Sequence, residues 1–202
     1  MASIKSVILE VPDTAAADQL HTALGVGDRV RTRPSQEASS GFRAYTLSLI
    51  VSQPSTVDSL IGTALDCGAT TLKPAAKSFW GYGGVVQAPD GAIWKVATSQ
   101  KKDTGPATRQ IDEVALLIGV ENVKASKRFY TDHGLTVSKS FGSKYVEFDT
   151  GSHVKLALYG RRALAKDAGV SPDGSGSHRI VITGDAGPFA DPDGFAWQAA
   201  SG

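Results

Sequence analysis

Few residue types in this 202-residue sequence could carry out chemistry by themselves. Cys67 is the only cysteine and has no histidine near it in sequence, which predicts a buried structural thiol rather than a nucleophile. His133 beside a glycine and His153 in a turn are predicted to be exposed and without a chemical role. Trp80 and Tyr82 are better candidates for a functional role than these residues. They flank glycines in Phe-Trp-Gly-Tyr-Gly-Gly, where a ligand can approach the backbone closely. Their rings could stack on a flat molecule.

A repeated segment organises the chain around these residues. Gln87–Ala97 and Ala190–Ala200 both contain Pro-Asp-Gly with a tryptophan three residues after the glycine, and Asp90 and Asp193 lie 193 − 90 = 103 residues apart. Proline fixes φ, aspartate caps the turn and glycine accepts a left-handed conformation, so each copy predicts a hairpin. Its recurrence at the end of each half indicates an internal duplication.

Hydrophobic periodicity predicts the elements that must position these residues. Helical spacing after capping residues predicts helices near 14–24, 55–67 and 122–132, and a further short helix is predicted at 161–168. Alternation predicts strands outside the two hairpins, which are 4–11, 29–33, 42–51, 70–73, 111–120, 135–140, 145–149, 154–159 and 178–183. The polar stretch 101–109 is predicted to link two halves, 1–100 and 110–202.

Composition excludes several classes of partner. Lys and Arg number 21 against 20 Asp and Glu, giving a formal net charge of +1 without a dense basic run, so no nucleic-acid partner is predicted. A single cysteine excludes a disulfide framework and a thiolate metal cluster. No apolar run approaches membrane-spanning length and no signal peptide is recognisable, so we expect a cytoplasmic protein without a membrane partner.

In its motifs the chain resembles the vicinal oxygen chelate superfamily, which includes glyoxalase I, bleomycin-resistance proteins and extradiol dioxygenases. The resemblance covers nearly the whole chain and rests on Phe79-Trp80-Gly81, on both Pro-Asp-Gly-x-x-Trp hairpins and on Lys127-Arg128-Phe129-Tyr130. It implies an α+β fold of tandem βαβββ modules that form curved mixed sheets, in which a pair of modules encloses a concave site.

The modules implied by this resemblance are unequal in length. Those at about 41–98 and 110–160 look complete, whereas 3–40 lacks its last two strands and 178–200 has no room for a helix. We therefore expect two complete central modules flanked by two abbreviated ones. The abbreviated pieces are expected to pack together or onto the central pair.

The resemblance also implies where a catalytic metal would bind. Active members of the superfamily use His and Glu side chains in the third place of a module's opening strand and one residue after the hairpin tryptophan. In the first half these positions hold Ser6, Thr46 and Lys95. None is a plausible ligand, and a lysine ammonium would repel the cation.

In the second half the matching positions hold Glu113, His178 and Gln198. One carboxylate, one imidazole and one amide would hold a divalent metal only weakly, so no metal and no other cofactor is predicted. Glu113 and His178 remain the catalytic candidates for metal-free proton transfer, provided that they face a common cavity and approach each other. The alternative is a purely structural role, as a polar pair or in contact with solvent.

The predicted ligand-binding residues are aromatic side chains expected near a module cavity, together with the amide of the last hairpin. They are Tyr45, Trp80, Tyr82, Phe129, Tyr130, Tyr159 and Gln198. Trp94 and Trp197 occupy the same repeat position in both halves, which favours core packing behind the sheet for these two.

Two function classes follow. The favoured one is a binder without catalytic metal that sequesters an aromatic or polycyclic small molecule, as in the antibiotic-sequestering branch of the resembled superfamily. The alternative is a metal-dependent lyase, isomerase or dioxygenase, as in its enzymatic branches. Whether a homodimer completes the site stays open.

Overall fold

The computed structural model describes residues 2–152 and 154–200, so His153 lies outside the described residues. The elements of the first half are β1 (Ile4–Val11), α1 (Thr14–Leu24), β2 (Val30–Pro34), β3 (Ser39–Gly41), β4 (Tyr45–Ile50), α2 (Pro54–Asp66), β5 (Thr70–Ser78), β6 (Gly81–Gln87) and β7 (Ile93–Thr98). Those of the second half are β8 (Glu113–Val120), α3 (Val123–Asp132), β9 (Thr136–Phe141), β10 (Tyr145–Asp149), β11 (Val154–Gly160), α4 (Arg161–Ala168), β12 (Gly174–Gly176), β13 (Ile180–Gly184), β14 (Phe189–Ala190) and β15 (Ala196–Ala199).

The helices form within a residue or two of their predicted bounds. Asp13 caps α1 by accepting a hydrogen bond from the backbone N–H of Ala16, and Asn122 caps α3 in the same way through Ala125. The strand predicted at 70–73 is longer, because β5 continues through two irregularities in register to Ser78 as the partner of β6.

The two complete modules form one eight-stranded sheet of order β5-β6-β7-β4-β8-β11-β10-β9. Each module contributes four neighbouring strands, and the antiparallel pair β4–β8 joins them, with Leu47 opposite Leu116. Both residues are fully buried. The expected α+β architecture of modules in curved mixed sheets is confirmed.

The two abbreviated modules pack together, as expected. They form a five-stranded sheet of order β14-β15-β13-β1-β2, in which β1 pairs antiparallel with β13 and Val7 lies opposite Ile182. Both sheets therefore combine strands from the two halves. The predicted linker packs against the first half. The side chain of Gln53 donates to the carbonyl of Pro106 at 2.7 Å and accepts from the N–H of Gly105 at 3.0 Å.

Helices α1, α2 and α3 cover the same face of the eight-stranded sheet. In α1 the ring of His21 lies 5.5 Å from that of Trp94 on β7, and in α3 Tyr130 lies 5.6 Å from Phe148 on β10, all measured between centroids. Tyr130 also lies 5.7 Å from Trp197 of the five-stranded sheet. These aromatic contacts form the core between the sheets.

Helix α4 packs on the opposite face of the eight-stranded sheet. Gly119 of β8 makes this possible, since a Cβ at that position would lie 3.0 Å from the Cα of Arg161 and 3.4 Å from the side chain of Leu164. Leu164, Ala165 and Ala168 are buried beneath the helix. No helix in the described parts of the chain is long and apolar enough to cross a membrane.

Candidate ligand-binding site

One face of the eight-stranded sheet is covered in part by α4 and by no other helix of the described residues, and we call it the site face. Strand register places Lys95 of β7 beside Ser48 of β4, and Glu113 of β8 beside Ile50. Because side chains alternate along a strand, the same face carries every second residue of each neighbouring strand. These residues are Ala97, Ala115, Leu117, Tyr145, Glu147, Lys155, Ala157 and Tyr159.

The C-terminal end of α4 is anchored to this face by two lysines. The ammonium of Lys73 donates to the carbonyls of Lys166 and Asp167, at 2.7 Å each. The ammonium of Lys95 lies 2.8 Å from the carboxylate of Asp167. Cations at a helix C-terminus are favourable because they face the negative end of the helix dipole. Lys95, the residue after the first hairpin tryptophan, thus anchors α4.

A cavity of about 250 Å³ remains beside this anchor, and we call it the tyrosine compartment. The rings of Tyr145 and Tyr159 form an edge-to-face pair with centroids 4.9 Å apart. The walls are completed by apolar, small and charged side chains, namely Ser48, Ile50, Lys95, Ala97, Glu113, Ala115, Leu117, Glu147, Lys155 and Ala157.

The charges of the tyrosine compartment neutralise one another. The ammonium of Lys155 lies 2.7 Å from the carboxylate of Glu113 and 3.7 Å from that of Glu147. Lys139 lies 3.6 Å from Glu147, and the hydroxyl of Tyr145 donates to Glu147 at 2.8 Å. Neither acidic side chain is therefore a free anion.

In this environment Glu147 is ionised and the phenols of Tyr145 and Tyr159 are neutral. Burial alone would raise the pKa of Glu147, but the hydrogen bond from Tyr145 and the charges of Lys139 and Lys155 outweigh it and lower that pKa. Burial, followed by the hydrogen bond to Glu147, raises the pKa of Tyr145. Burial also raises the pKa of Tyr159. Both phenols thus stay neutral and the carboxylate stays ionised at neutral pH.

A second cavity, of about 330 Å³, lies on the other side of the Lys95–Asp167 ion pair, and we call it the Trp80 compartment. Trp80 lines it from the tip of the β5–β6 hairpin, with 82% of its surface exposed. Tyr82 also borders this cavity, but its hydroxyl donates to Asp58 of α2 at 2.7 Å, on the opposite side of the sheet.

The expected pairing of Glu113 with His178 is corrected by the structure. His178 precedes β13 of the other sheet, where its two ring nitrogens lie 2.8 Å from the carbonyl oxygen of Arg43 and 2.9 Å from that of Asp193. Its ring stacks on Phe195 at 4.0 Å. The resemblance places the two residues in equivalent module positions, but those modules contribute to different sheets.

Three of the predicted aromatic residues lie in the core rather than on the site face. Tyr130 is fully buried in the helix layer, and its hydroxyl donates to Asp191 at 2.7 Å. Phe129 packs edge-to-face against Phe189. Tyr45 is buried on the helix-covered side of β4 and borders a separate cavity of about 300 Å³.

Of the remaining candidates, Tyr159 lies in the tyrosine compartment, whereas Gln198 lies on the five-stranded sheet. The amide oxygen of Gln198 accepts a hydrogen bond from Arg33 at 3.3 Å. Ser6, on the same sheet, forms a hydroxyl pair with Thr183 at 2.9 Å. The positions that the sequence resemblance matches to metal ligands therefore lie in two different sheets.

The side chains present do not fit a divalent metal. On the site face the matching positions hold the hydroxyl of Thr46, the ammonium of Lys95 and the carboxylate of Glu113, which is already paired with Lys155. Within residues 2–152 and 154–200 no group of three or more His, Cys, Asp or Glu side chains converges as a metal site would require.

Sequence reasoning missed Tyr145, Glu147, Lys155 and Asp167. The alternation within 145–149 and 154–159 was visible, and it places Tyr145 with Glu147 and Lys155 with Tyr159 on one face of each strand. Which face was the functional one depended on the order of strands in the sheet. Asp167 lies 72 residues from its partner Lys95, so no local pattern pointed to it.

Comparisons with known proteins agree with this architecture. Glyoxalase I from Zea mays superposes with a TM-score of 0.64 at 14% identity over 98% of this chain and 92% of that one, and a point mutant of the same enzyme gives 0.62 at 13% identity over 98% and 93%. A putative dioxygenase from Bacillus subtilis subsp. subtilis str. 168 gives 0.52 at 11% identity over 90% and 69%. No protein-family model and no curated protein sequence matches the chain significantly.

The chain therefore has a glyoxalase-like fold, which agrees with the architecture that its motifs indicated. At these identities the likeness concerns the fold, and the function must be argued from the site itself.

Proposed function

We propose that the protein binds a small aromatic or polycyclic compound in the tyrosine compartment without a catalytic metal. The observation that carries this proposal is the sharing of Lys155 by Glu113 and Glu147, at 2.7 and 3.7 Å. The ammonium occupies the position between the carboxylates where a cation would otherwise be attracted. The site thus offers a ligand aromatic walls and internally compensated charges.

The walls supply the affinity in this proposal. Burying a ring against Tyr145 and Tyr159 is worth about 1.5–3 kcal/mol through the apolar area removed from water. Edge-to-face contacts between rings add about 0.5–1.5 kcal/mol. Because Lys155 and Lys139 together balance the two carboxylates, a neutral ligand would not have to compensate an unpaired charge.

The test uses 2-naphthol, a neutral two-ring compound that does not chelate metals, in titration calorimetry with and without EDTA. We expect the same affinity in both, and elemental analysis of protein purified without chelator should find less than stoichiometric Zn, Ni, Fe or Mn. Tyr159→Ala should weaken binding by about tenfold or more, since it removes one ring from the wall. Tyr159→Phe should retain most of the affinity.

Phe79→Ala is the matched control, because Phe79 is an exposed aromatic residue that lines neither compartment. It should leave the affinity unchanged. The alternative function, a metal-dependent lyase, isomerase or dioxygenase, would be supported by one tightly held metal per chain, or by binding that EDTA abolishes and metal restores. A cytoplasmic location and a homodimer remain predictions.

A further inference from the structure

The ion pair between Lys95 and Asp167 is the wall between the two cavities of the site face. Lys95 and Ala97 line both the tyrosine compartment and the Trp80 compartment, and Asp167 lines the latter. The side chain of Lys95 projects from β7 and its ammonium reaches the carboxylate at 2.8 Å. The barrier is therefore made of two side chains and not of backbone.

Near this barrier the sheet carries several small residues. Gly83 and Ala97 lie in the Trp80 compartment, and Ala97, Ala115 and Ala157 lie in the tyrosine compartment. At Gly83 a Cβ would lie only 2.8 Å from the carbonyl oxygen of Val96, so a larger residue would not fit there without a shift. Small residues thus line this face on β6, β7, β8 and β11, and on the intervening strand β4 the neighbour of Lys95 is Ser48 and that of Ala97 is Ile50.

The barrier is held in place from both sides. Lys95 lies between Ser48 and Val85 on the neighbouring strands. Asp167 belongs to the end of α4 that Lys73 anchors through two carbonyls. With 31% and 41% of their side chains exposed, the two charges are partly shielded from solvent.

We propose that the Lys95–Asp167 ion pair determines the ligand specificity of the site by length. It confines a ligand to one compartment and rejects a molecule that must extend into both. This inference rests on the proposed function, and it concerns which members of the aromatic class are bound. Either side chain alone forms an incomplete barrier, because Asp167 fixes the extended position of Lys95.

The experiment compares 2-naphthol with 6-phenyl-2-naphthol, which carries the same head and one further ring along its long axis. The measured quantity is the ratio of their dissociation constants by calorimetry. In the natural protein we expect the longer probe to bind about tenfold or more weakly. Lys95→Ala and Asp167→Ala should each reduce that ratio several-fold, and the double variant should do so no more than the stronger single variant.

A second readout locates the longer probe directly. In protein labelled with fluorotryptophan, the fluorine resonance of Trp80 can be assigned by its loss in Trp80→Phe. The longer probe should shift this resonance in the two barrier variants and leave it unshifted in the natural protein. Trp94 and Trp197 are buried in the core and should not respond in either.

Lys124→Ala on the exposed side of α3 is the control and should keep the natural ratio. Equal affinity of the natural protein for both probes would overturn the inference, as would an unchanged ratio in Lys95→Ala. A ratio altered by Lys95→Ala but not by Asp167→Ala would overturn the role of the ion pair. Failure of 2-naphthol to bind the natural protein would instead overturn the proposed function.

Discussion

At the scale of single residues, Lys155 decides what the acidic side chains of the site can do. The carboxylate of Glu113 lies 2.7 Å from the ammonium of Lys155, so it is already engaged in an ion pair. The hydrogen bond with Glu113 in turn raises the pKa of Lys155, although burial opposes this shift. The pair is suited to fix a polar group of a ligand, and proton abstraction by Glu113 would first require that the pair separate.

Another residue, His21, should make the stability of the protein depend on pH. The ring is buried, and among residues 2–152 and 154–200 neither of its nitrogens has a hydrogen-bond partner of good geometry. Burial lowers its pKa below the ordinary 6.5 despite the opposing effects of Asp90, Asp18 and the Val30 backbone. Above pH 6.5 the ring is neutral in the folded and the unfolded state. As the pH falls below that value, the unfolded state takes up a proton that the folded state does not, so the free energy of unfolding decreases.

The measurement is denaturant unfolding at a series of pH values between neutral and mildly acidic conditions. In His21→Leu the decrease that begins below pH 6.5 should become smaller, because the variant has no ring to protonate. At neutral pH the variant should be at least as stable, since it removes buried polar atoms without partners, which cost about 1–3 kcal/mol each in proteins. An identical pH profile in both proteins would contradict this role for His21.

How far single residues could be predicted depended on whether their partners were local in sequence. Lys95 was recognised as unsuitable for a metal from its place after the hairpin tryptophan. Its contact with Asp167 required the position of α4, which no repeat specifies. His178 was compared with Glu113 because the modules repeat, but strand pairing places the two residues in different sheets.

At the scale of elements, α4 distinguishes the two faces of the eight-stranded sheet. Its bounds were predicted correctly, yet the sequence gives no indication of the face on which it packs, because its apolar stripe fits either face. Gly119, which has no side chain, leaves room for α4 on the site face. Arg161 anchors the first turn of α4 by donating to the carbonyls of Phe42 and Pro172 at 2.9 Å each. The helix thereby occupies part of the surface on which a ligand would otherwise lie.

Leu164 tests how strongly α4 is packed. It is almost fully buried, so Leu164→Ala should lower the free energy of unfolding by about 2–5 kcal/mol through lost burial and the cavity left behind. Arg162→Ala, on the exposed side of the same helix, should change it by about 0.5 kcal/mol or less. Denaturant unfolding measures both, and equal effects of the two variants would show that α4 is not part of the core.

At the scale of the whole molecule, the two halves of the sequence are interleaved in the structure. The central pair β4–β8 and the terminal pair β1–β13 each join a strand of the first half to one of the second. An abbreviated module cannot complete a sheet by itself, which is why packing of the two end pieces could be expected from the sequence. The order of all thirteen strands in the two large sheets could not, since it depends on long-range pairing.

This interleaving predicts that the halves stay together when the linker is cut. A specific protease site inserted between Lys101 and Lys102, both exposed, would allow cleavage after folding without disturbing the contacts of Gln53 with Thr104 and Gly105. The two fragments should elute as one particle in size-exclusion chromatography, because separation would expose the buried side chains along β4–β8 and β1–β13 to water. The melting temperature of the cut protein should rise with concentration, as for any complex of two chains, whereas that of the uncut protein should not. Elution as two separate folded species would contradict the pairing of strands between the halves and favour two independent domains.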